Sequence, residues 1–410
     1  MKPKLLNRFS PLSTLRKRIL ATLIFCAAAS TLPIFADTIT SGFKMKPEWR
    51  VGAEFAPAGV VPTNSFIKGH NSLDKKITSS FAGGLNVGFK FNPQSRQGLL
   101  YKGLYQGIGF DVRSFTPGGL LGNPVSLHAY QGAPFVTFNN RLSLGYEWKF
   151  GAAFGWKAYD SQSDDNNAPV STKVTARMGL GLKLQYALSD RWSLALGVEG
   201  NHFSNGNTSW PNAGVNTLGA TIGIAYTFNP QHPVATCPTA LSEEANAKRW
   251  IFDIMAFAAA RKRAIRLPEP YDPVVCPGRF GVVGLRFSPL RKFNRWFAAG
   301  PTLDMQWDES ADLASYWVEG TSGETIRFVR PPFKKQISVG LAGNAELTMP
   351  IFTLNAGLGY EVINPKGDKR FYQSLTLKTF VTDKIYLNVG YRLANFEDPQ
   401  NLMLGVGFRL

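Results

Sequence analysis

The stretch "RWSLALGVEGNHFS" at residues 191–204 alternates between two kinds of side chain. Successive side chains of a β-strand point to opposite faces, so this alternation predicts a strand with one apolar and one polar face. The even face carries Trp192, Leu194, Leu196, Val198, Gly200, His202 and Ser204. The odd face carries Arg191, Ser193, Ala195, Gly197, Glu199, Asn201 and Phe203. The apolar face therefore ends in a histidine and a serine.

The same alternation recurs along the chain in segments that often exceed ten residues. Strands of soluble proteins usually have ~5–6 residues, whereas a strand that crosses a membrane needs ~9–11. We therefore predict an all-β fold, an antiparallel outer-membrane β-barrel whose apolar side chains face lipid and whose polar side chains face the lumen. Eight segments precede residue 230: 47–57, 79–92, 101–115, 124–138, 141–158, 172–188, 191–203 and 215–228. About eight more follow: 248–262, 279–289, 295–308, 334–348, 351–363, 370–381, 384–395 and 400–410.

A proline-rich stretch, "NPQHPVATCPTALSEEANAK" at residues 229–248, separates the two sets of segments. We predict a barrel over residues 37–230, a linker over 231–247 and a second β-barrel half over 248–410, to which the sequence assigns no role. The segments 182–204 and 375–397 resemble each other, which indicates either a duplication or chance similarity between two membrane hairpins. Two small barrels in tandem and one large barrel of ~16 strands both remain open.

The first 36 residues combine a basic start, an apolar run and a small residue at Ala36. This composition predicts a secretory signal peptide; the alternative is a membrane-anchor helix. The formal net charge of +17 favours an anionic partner. An exported protein does not normally meet chromosomal DNA, so we expect a membrane surface with anionic lipid head groups and no nucleic acid.

The two cysteines after the signal segment are Cys237 and Cys276. In an oxidising compartment they either form a disulfide or remain two free thiols. Neither has the ligand spacing of a zinc site, and His70, His128 and His232 do not form a ligand set either. We therefore expect no metal site.

Three polar residues converge at the end of the lipid-facing surface. His202 and Ser204 are two residues apart and share a strand face, and Asn216 has the matching parity just beyond the turn. Unpaired polar groups are costly at such a surface. The arrangement fits a hydrolase in which Ser204 is the nucleophile, His202 the general base and Asn216 the group that orients the imidazole. The alternative is a set of head-group-level polar residues without chemistry.

The stretch "HFSNGNTSWPNAGVN" at residues 202–216 resembles the active-site segment of the lipid A 3-O-deacylase (PagL) family, also called acyloxyacyl hydrolases. The family pattern is His-x-Ser-Asn, a Pro-Asn-x-Gly turn and then an acid. The resemblance covers roughly residues 45–230 and leaves a long C-terminal extension. It implies a Gram-negative outer-membrane esterase that removes a 3-linked hydroxyacyl chain from the lipid A of lipopolysaccharide, without metal or cofactor.

The same resemblance implies roles for individual residues. Ser204 corresponds to the nucleophile and His202 to the base, and Asn205 and the backbone near Gly206 are the expected oxyanion donors. One departure is clear, because Asn216 stands where the family has an acid. An amide accepts a hydrogen bond from the imidazole but supplies no charge, so we expect a weaker enzyme or one that relies on another acid. Glu199 is a poor substitute, because its parity places it in the lumen.

Two other functions fit the same fold. A non-catalytic barrel, either a pore or a structural protein, would have a dispensable His202–Ser204 pair. A carrier of lipids or fatty acids would retain its ligand without releasing a product. The sequence leaves the oligomeric state and the acyl chain that is cut undetermined.

Overall fold

The computed structural model describes residues 46–139, 141–160, 167–231, 243, 247–265, 274–319, 326–364, 369–396 and 398–410. The described chain divides into two compact units, with the division at residues 242 and 243. The expected signal peptide, His232 and Cys237 lie outside the described residues. Among the described residues, no helix is both long and apolar enough to cross a membrane.

The first unit contains a closed barrel of eight antiparallel strands, which we call barrel 1. Each strand pairs with the next one in the chain, and β8 pairs with β1 to close the barrel. The strands are β1 (Glu48–Val60), β2 (Ser79–Lys90), β3 (Tyr105–Thr116), β4 (Gly122–Phe138), β5 (Leu142–Trp156), β6 (Val174–Ala187), β7 (Trp192–Ser204) and β8 (Val215–Thr227). A short helix, α1 (Arg96–Leu100), lies between β2 and β3 and is capped by Ser95.

The second unit contains another closed barrel of eight antiparallel strands, barrel 2. Its strands are β9 (Arg249–Arg261), β12 (Phe280–Lys292), β13 (Phe297–Asp308), β16 (Ile337–Thr348), β17 (Phe352–Ile363), β18 (Phe371–Phe380), β19 (Ile385–Ala394) and β20 (Asp398–Arg409). Closure is by β20 pairing with β9. The connections hold the small sheets β10 (Ala264–Ile265) with β11 (Val274–Val275) and β14 (Trp317–Glu319) with β15 (Ile326–Phe328), a 3-10 turn at Leu313–Ser315 and α2 (Phe333–Gln336).

The strands present the two faces that the alternation predicts. On β7 the even positions from Trp192 to Val198 are exposed on the outer wall, and Glu199 and Asn201 are buried in the lumen. Of the two open arrangements, the structure therefore has two eight-stranded barrels in tandem rather than one large barrel. Two barrels form because β8 pairs with β1 and β20 pairs with β9. The alternation of side chains does not show which strands close a barrel.

The two ends of barrel 1 differ in their connections. At one end the turns after β4 and β6 are short, and the connection after β2 is longer because it carries α1. At the other end the connections after β1, β5 and β7 are long, and the connection after β3 is short. In bacterial outer-membrane barrels the longer loops lie on the extracellular side. An apolar cluster fills the lumen and the loops at this end: Val60, Phe66, Ile67, Ile77, Phe115, Leu120, Leu121, Ala153, Trp156, Val170, Phe203 and Val215.

The similar segments 182–204 and 375–397 occupy equivalent places in their barrels. Each forms the sixth and seventh strands, and the register agrees: Leu182 pairs with Val198 and Leu375 pairs with Tyr391. The seventh strand of barrel 2 ends at Ala394, and the turn begins at once because Asn395 and Phe396 have φ values of 49° and 61°. Barrel 2 therefore has no strand position that corresponds to His202.

Cys276 follows β11 and is buried against Ile265 and Leu313. It has no disulfide partner among the described residues, and the proposed partner Cys237 is not among them, so pairing stays a prediction. Burial raises the pKa of the Cys276 thiol to about 12. At neutral pH this thiol is therefore protonated and a poor nucleophile.

Candidate active site

The hairpin of β7 and β8 brings His202 and Asn216 together on the outer wall of barrel 1. The two residues are directly opposite in the strand register. Nδ1 of the half-buried His202 lies 2.7 Å from Oδ1 of Asn216. Since the amide oxygen can only accept, Nδ1 must carry the proton and Nε2 is left as the basic nitrogen. The imidazole thus has the tautomer that a general base requires.

Ser204 is the last residue of β7, at the point where the chain leaves the strand for the loop 205–214. Its side chain is mostly covered, with 9% of the residue exposed. The backbone N–H of Gly206 donates to Oγ of Ser204 at 3.1 Å, and Nδ2 of Asn212 donates to the same oxygen at 2.9 Å. Two donors therefore converge on the hydroxyl oxygen of Ser204.

No hydrogen bond joins His202 to Ser204 within the part of the chain that the structure describes. The two side chains share a strand face, and the Ser204 hydroxyl is oriented towards Asn212 rather than the imidazole. Catalytic hydrogen bonds often tighten only in the substrate complex.

Asn205 makes contacts that differ from those expected of an oxyanion donor. Its side-chain Nδ2 donates to Oγ of Ser171 at 2.9 Å and to the carbonyl of Ser209 at 3.1 Å. Its backbone N–H donates to Oδ1 of Asn212 at 3.1 Å. All donors of Asn205 are thus engaged in shaping the loop. One of these bonds fixes the amide of Asn212 so that Nδ2 points at Ser204.

Asn212 is the site residue whose role sequence reasoning missed. It lies in the Pro-Asn-x-Gly turn, eight positions after Ser204, so nothing in strand periodicity connects the two residues. The loop between β7 and β8 folds back to place the Asn212 amide at Ser204. The feature of the sequence that could have indicated this role is the asparagine in the Pro-Asn-x-Gly turn that follows the strand.

Gly214 forms the wall behind the imidazole. Its φ is +72°, which favours glycine, and a Cβ built there would lie 3.0 Å from Cε1 of His202 and 3.1 Å from the carbonyl of Phe203. Gly206 has a φ of +61°, which turns its N–H towards Ser204. Glycine at position 214 is therefore favoured by both its backbone conformation and the imidazole, and glycine at position 206 by its backbone conformation.

Phe203, between His202 and Ser204, points into the lumen and is fully buried. Its ring centroid lies 5.3 Å from that of Trp156, in an edge-on arrangement. The guanidinium carbons of Arg113 and Arg177 lie 5.5 and 5.9 Å from the Phe203 ring centroid. The strand segment that carries His202 and Ser204 is thus anchored from inside the barrel.

Glu199 is part of a lumenal ion-pair network and does not reach the imidazole. Its carboxylate lies 2.7 Å from Nζ of Lys149 and 3.5 Å from Arg177. Lys149 also pairs with Glu54, which accepts a 2.6 Å bond from Lys183. The network links strands on opposite sides of barrel 1, so paired charges cross the lumen.

The loop between β1 and β2 supports the hairpin from the side. The backbone N–H of Val61 donates to the carbonyl of Asn216 at 2.9 Å, and Nδ2 of Asn64 donates to the carbonyl of Gly214 at 3.4 Å. Among the described residues, no group of three or more His, Cys, Asp or Glu side chains could hold a metal ion. The chemistry available at this site is that of a hydroxyl, an imidazole and amide donors.

Each of the two units has the fold of a closed antiparallel β-barrel of eight strands. Residues 82–225 match the family "Lipid A 3-O-deacylase (PagL)", and residues 250–410 match "Acyloxyacyl hydrolase, C-terminal domain". Together the two matches span most of both barrels. The chain belongs to the PagL family of acyloxyacyl hydrolases, and it carries that family's C-terminal domain.

Solved structures similar to this chain include the outer membrane enzyme PagL, with 14% identity over 42% of this chain and 97% of that one, at a TM-score of 0.30. Neisserial surface protein A has 14% identity over 44% of this chain and 97% of that one, at a TM-score of 0.29. The beta domain of the Bordetella autotransporter BrkA has 10% identity over 89% of this chain and 99% of that one, at a TM-score of 0.24. No curated protein matches the chain.

Proposed function

We propose that this protein is a serine ester hydrolase of the Gram-negative outer membrane, which removes a 3-O-linked hydroxyacyl chain from lipid A. The observation that carries the proposal is the 2.7 Å contact between His202 and Asn216 beside Ser204, where two donors already point at the hydroxyl oxygen. Membership in the lipid A 3-O-deacylase family supports the substrate class.

The proposed mechanism uses only groups of this hairpin. Nε2 of His202 takes the proton from Ser204, and Oγ attacks the ester carbonyl to form a tetrahedral intermediate. Collapse of the intermediate transfers the proton to the leaving 3-hydroxyl of the sugar and leaves an acyl-enzyme. A water molecule, deprotonated by the same imidazole, then releases the hydroxy fatty acid and restores Ser204.

The oxyanion donors in this proposal are the N–H of Gly206 and Nδ2 of Asn212. Both lie within hydrogen-bond distance of Oγ, and the attacked carbon that becomes bonded to Oγ also carries the oxygen on which negative charge develops. Asn205, which the family resemblance implies as a direct donor, orients Asn212 instead. Asn216 holds the imidazole in its basic tautomer.

The location of the site suits a substrate that resides in the membrane. His202 lies on the outer wall, and the β7–β8 loop belongs to the end of the barrel with the longer connections. Lipid A occupies the leaflet that this end would face. Its anionic phosphates agree with the basic net charge of the chain.

Mass spectrometry of lipid A incubated with the purified protein in detergent tests the proposal. Wild type should release one hydroxyacyl chain, and a folded Ser204→Ala variant should release none, since an alanine side chain has no nucleophile. A Ser193→Ala variant is the matched control, because Ser193 lies near the opposite end of the same strand. Equal release by wild type and Ser204→Ala would exclude Ser204 as the nucleophile, and no release by either would support the non-catalytic barrel.

A further inference from the structure

Positive charge is concentrated at one end of barrel 2. At this end the connections after β12, β16 and β18 are short; at the other end those after β9, β13 and β17 are longer and the one after β19 is short. The segments 248–252 and 289–297, "KRWIF" and "PLRKFNRWF", lie at the first end. They contain five lysines and arginines and no aspartate or glutamate. The adjoining ends of β9, β12 and β13 therefore carry an excess of positive charge.

The pairing of β9 with β12 brings these cations next to one another. Arg291 lies opposite Trp250 in the strand register, and Lys292 lies opposite Arg249. Directly opposite residues on paired strands have Cβ atoms about 4.5–5.5 Å apart, and like charges there repel each other. Both arginines are exposed. An anion in contact with the two strand ends would offset this repulsion.

The acidic residues near this end of barrel 2 are balanced by other cations. Asp253 of β9 and Glu346 of β16 are buried in the lumen. Each of these carboxylates lies 2.7 Å from the guanidinium of Arg409. Asp383, in the turn after β18, is followed directly by Lys384. The positive charge on β9 and β12 is therefore available to a ligand from the membrane.

Aromatic side chains lie among the cations. Trp250, Phe293 and Phe297 are 54%, 44% and 40% exposed. The ring centroids of Phe293 and Phe297 are 5.7 Å apart, and the guanidinium carbon of Arg295 lies 5.6 Å from the ring centroid of Trp296. Outer-membrane barrels carry such aromatic girdles where the wall meets the lipid head groups. The neighbouring cations are therefore at the depth of the lipid phosphates.

We propose that these cations bind the phosphate of an anionic phospholipid in the periplasmic leaflet of the outer membrane. The site, which we call the basic patch, consists of Lys248, Arg249, Arg291, Lys292 and Arg295. Short turns of bacterial outer-membrane barrels face the periplasm, so the patch lies in the leaflet opposite to lipid A. The phosphate contacts Arg249 and Arg291, and the acyl chains lie along the apolar outer wall beside Trp250. This inference does not depend on ester hydrolysis and gives barrel 2 a role in lipid binding.

The test compares two double variants of the full chain in a neutral detergent. Arg249→Gln/Arg291→Gln removes two charges of the basic patch. Arg141→Gln/Arg191→Gln is the matched control, because both arginines are exposed in short turns of barrel 1. Native mass spectrometry measures the apparent Kd of dioleoyl phosphatidylglycerol and of dioleoyl phosphatidylcholine, which have identical acyl chains. The mobility of unheated samples in gels shows whether each variant is folded.

Wild type and the control should bind phosphatidylglycerol about tenfold or more tightly than phosphatidylcholine, whose head group has no net charge. The variant of the basic patch should lose this preference. Equal loss in both double variants would overturn the site, because net charge alone would then attract the lipid. Equal Kd values of wild type for the two lipids would also overturn it. Displacement of phosphatidylglycerol by an equal concentration of inorganic phosphate would assign the patch to free phosphate and refute a phospholipid site.

Discussion

Asn216 holds the imidazole of His202 through a neutral hydrogen bond at 2.7 Å, where a carboxylate would add negative charge. The charge matters once the imidazole accepts a proton, because an adjacent carboxylate stabilises imidazolium and an amide does not. Orientation and charge are thus separable contributions at this one position. Replacement of Asn216 by a residue of equal size that carries a negative charge would add the charge and keep the orientation of the imidazole.

Asn216→Asp should increase kcat for ester hydrolysis about tenfold or more, because aspartate keeps the contact with Nδ1 and adds the charge. Asn216→Leu should reduce kcat, since nothing then fixes the tautomer. The measurement is steady-state hydrolysis of a short p-nitrophenyl ester. Asn229→Asp is the control, because it adds the same charge beyond the other end of β8. A rate for Asn216→Asp at or below that of wild type would contradict this role.

Gly214→Ala should reduce kcat about tenfold or more and lower the free energy of unfolding by about 1–2 kcal/mol, because its φ is +72° and the new Cβ would press on Cε1 of His202. Gly119→Ala is the matched control. Gly119 has a φ of +83° in a loop at the same end of barrel 1, and a Cβ there meets nothing within 4 Å. Both variants share the backbone strain, so activity lost only in Gly214→Ala identifies the contact with the imidazole. Equal loss of activity in both would refute it.

At the scale of single elements, β7 performs two tasks on its two faces. Its outer face ends in His202 and Ser204, and its inner face anchors the same segment through Phe203, which packs between Trp156 and two guanidinium groups. Because adjacent residues point to opposite faces, a change inside the lumen moves the backbone of the site outside.

Phe203→Leu should lower the free energy of unfolding by about 1–3 kcal/mol and also lower kcat, with KM nearly unchanged. Phe115→Leu is the matched control: Phe115 belongs to the same apolar cluster and its ring centroid lies 5.8 Å from that of Trp156. Its loss should destabilise the barrel to a similar extent without a change in kcat. Denaturant titration in detergent and ester kinetics give the two quantities. If both variants lose kcat in proportion to stability, Phe203 has only a structural role.

Strand alternation predicted all sixteen barrel strands to within a few residues. It could not predict closure, which depends on pairing between strands distant in sequence, such as β1 with β8. It also placed the third strand at 101–115, although α1 and the turn after it delay the strand to Tyr105. Helices of one turn have too few residues to show a period.

The hairpin geometry of the site was predictable because His202 and Asn216 have the same parity across one turn. The conformation of the loop was not predictable. Asn212 reaches Ser204 because the loop folds back on the strand, and the alternation of side chains along a strand does not predict such a fold. For the same reason the roles of Asn205 and Asn212 could not be separated from the sequence. Turn motifs indicate that a chain reverses, not which side chain then faces the strand.

At the scale of the whole molecule, each barrel encloses paired charges. In barrel 1 the lumenal network includes Lys149, Glu199 and Lys183. In barrel 2, Lys378 lies 3.0 Å from Asp253, and Arg392 lies 2.6 Å from Glu361. Separating such pairs to admit water and ions would leave buried charges uncompensated.

Planar-bilayer recordings with the purified full chain should therefore show no stepwise conductance at moderate voltage. The current should equal that of bilayers treated with detergent buffer alone. Steps whose frequency rises with protein concentration would instead favour the pore function. Such a result would also require the ion pairs of at least one lumen to open.

The outer-wall position of His202 has a kinetic consequence. An enzyme whose catalytic groups face lipid meets its substrate by lateral diffusion in two dimensions. Its rate then follows the mole fraction of lipid A in the surrounding membrane or micelle, not the amount per volume of solution. Addition of an inert detergent should slow the reaction even when enzyme and lipid A concentrations stay fixed, and assays at different dilutions should agree once the surface composition is the same.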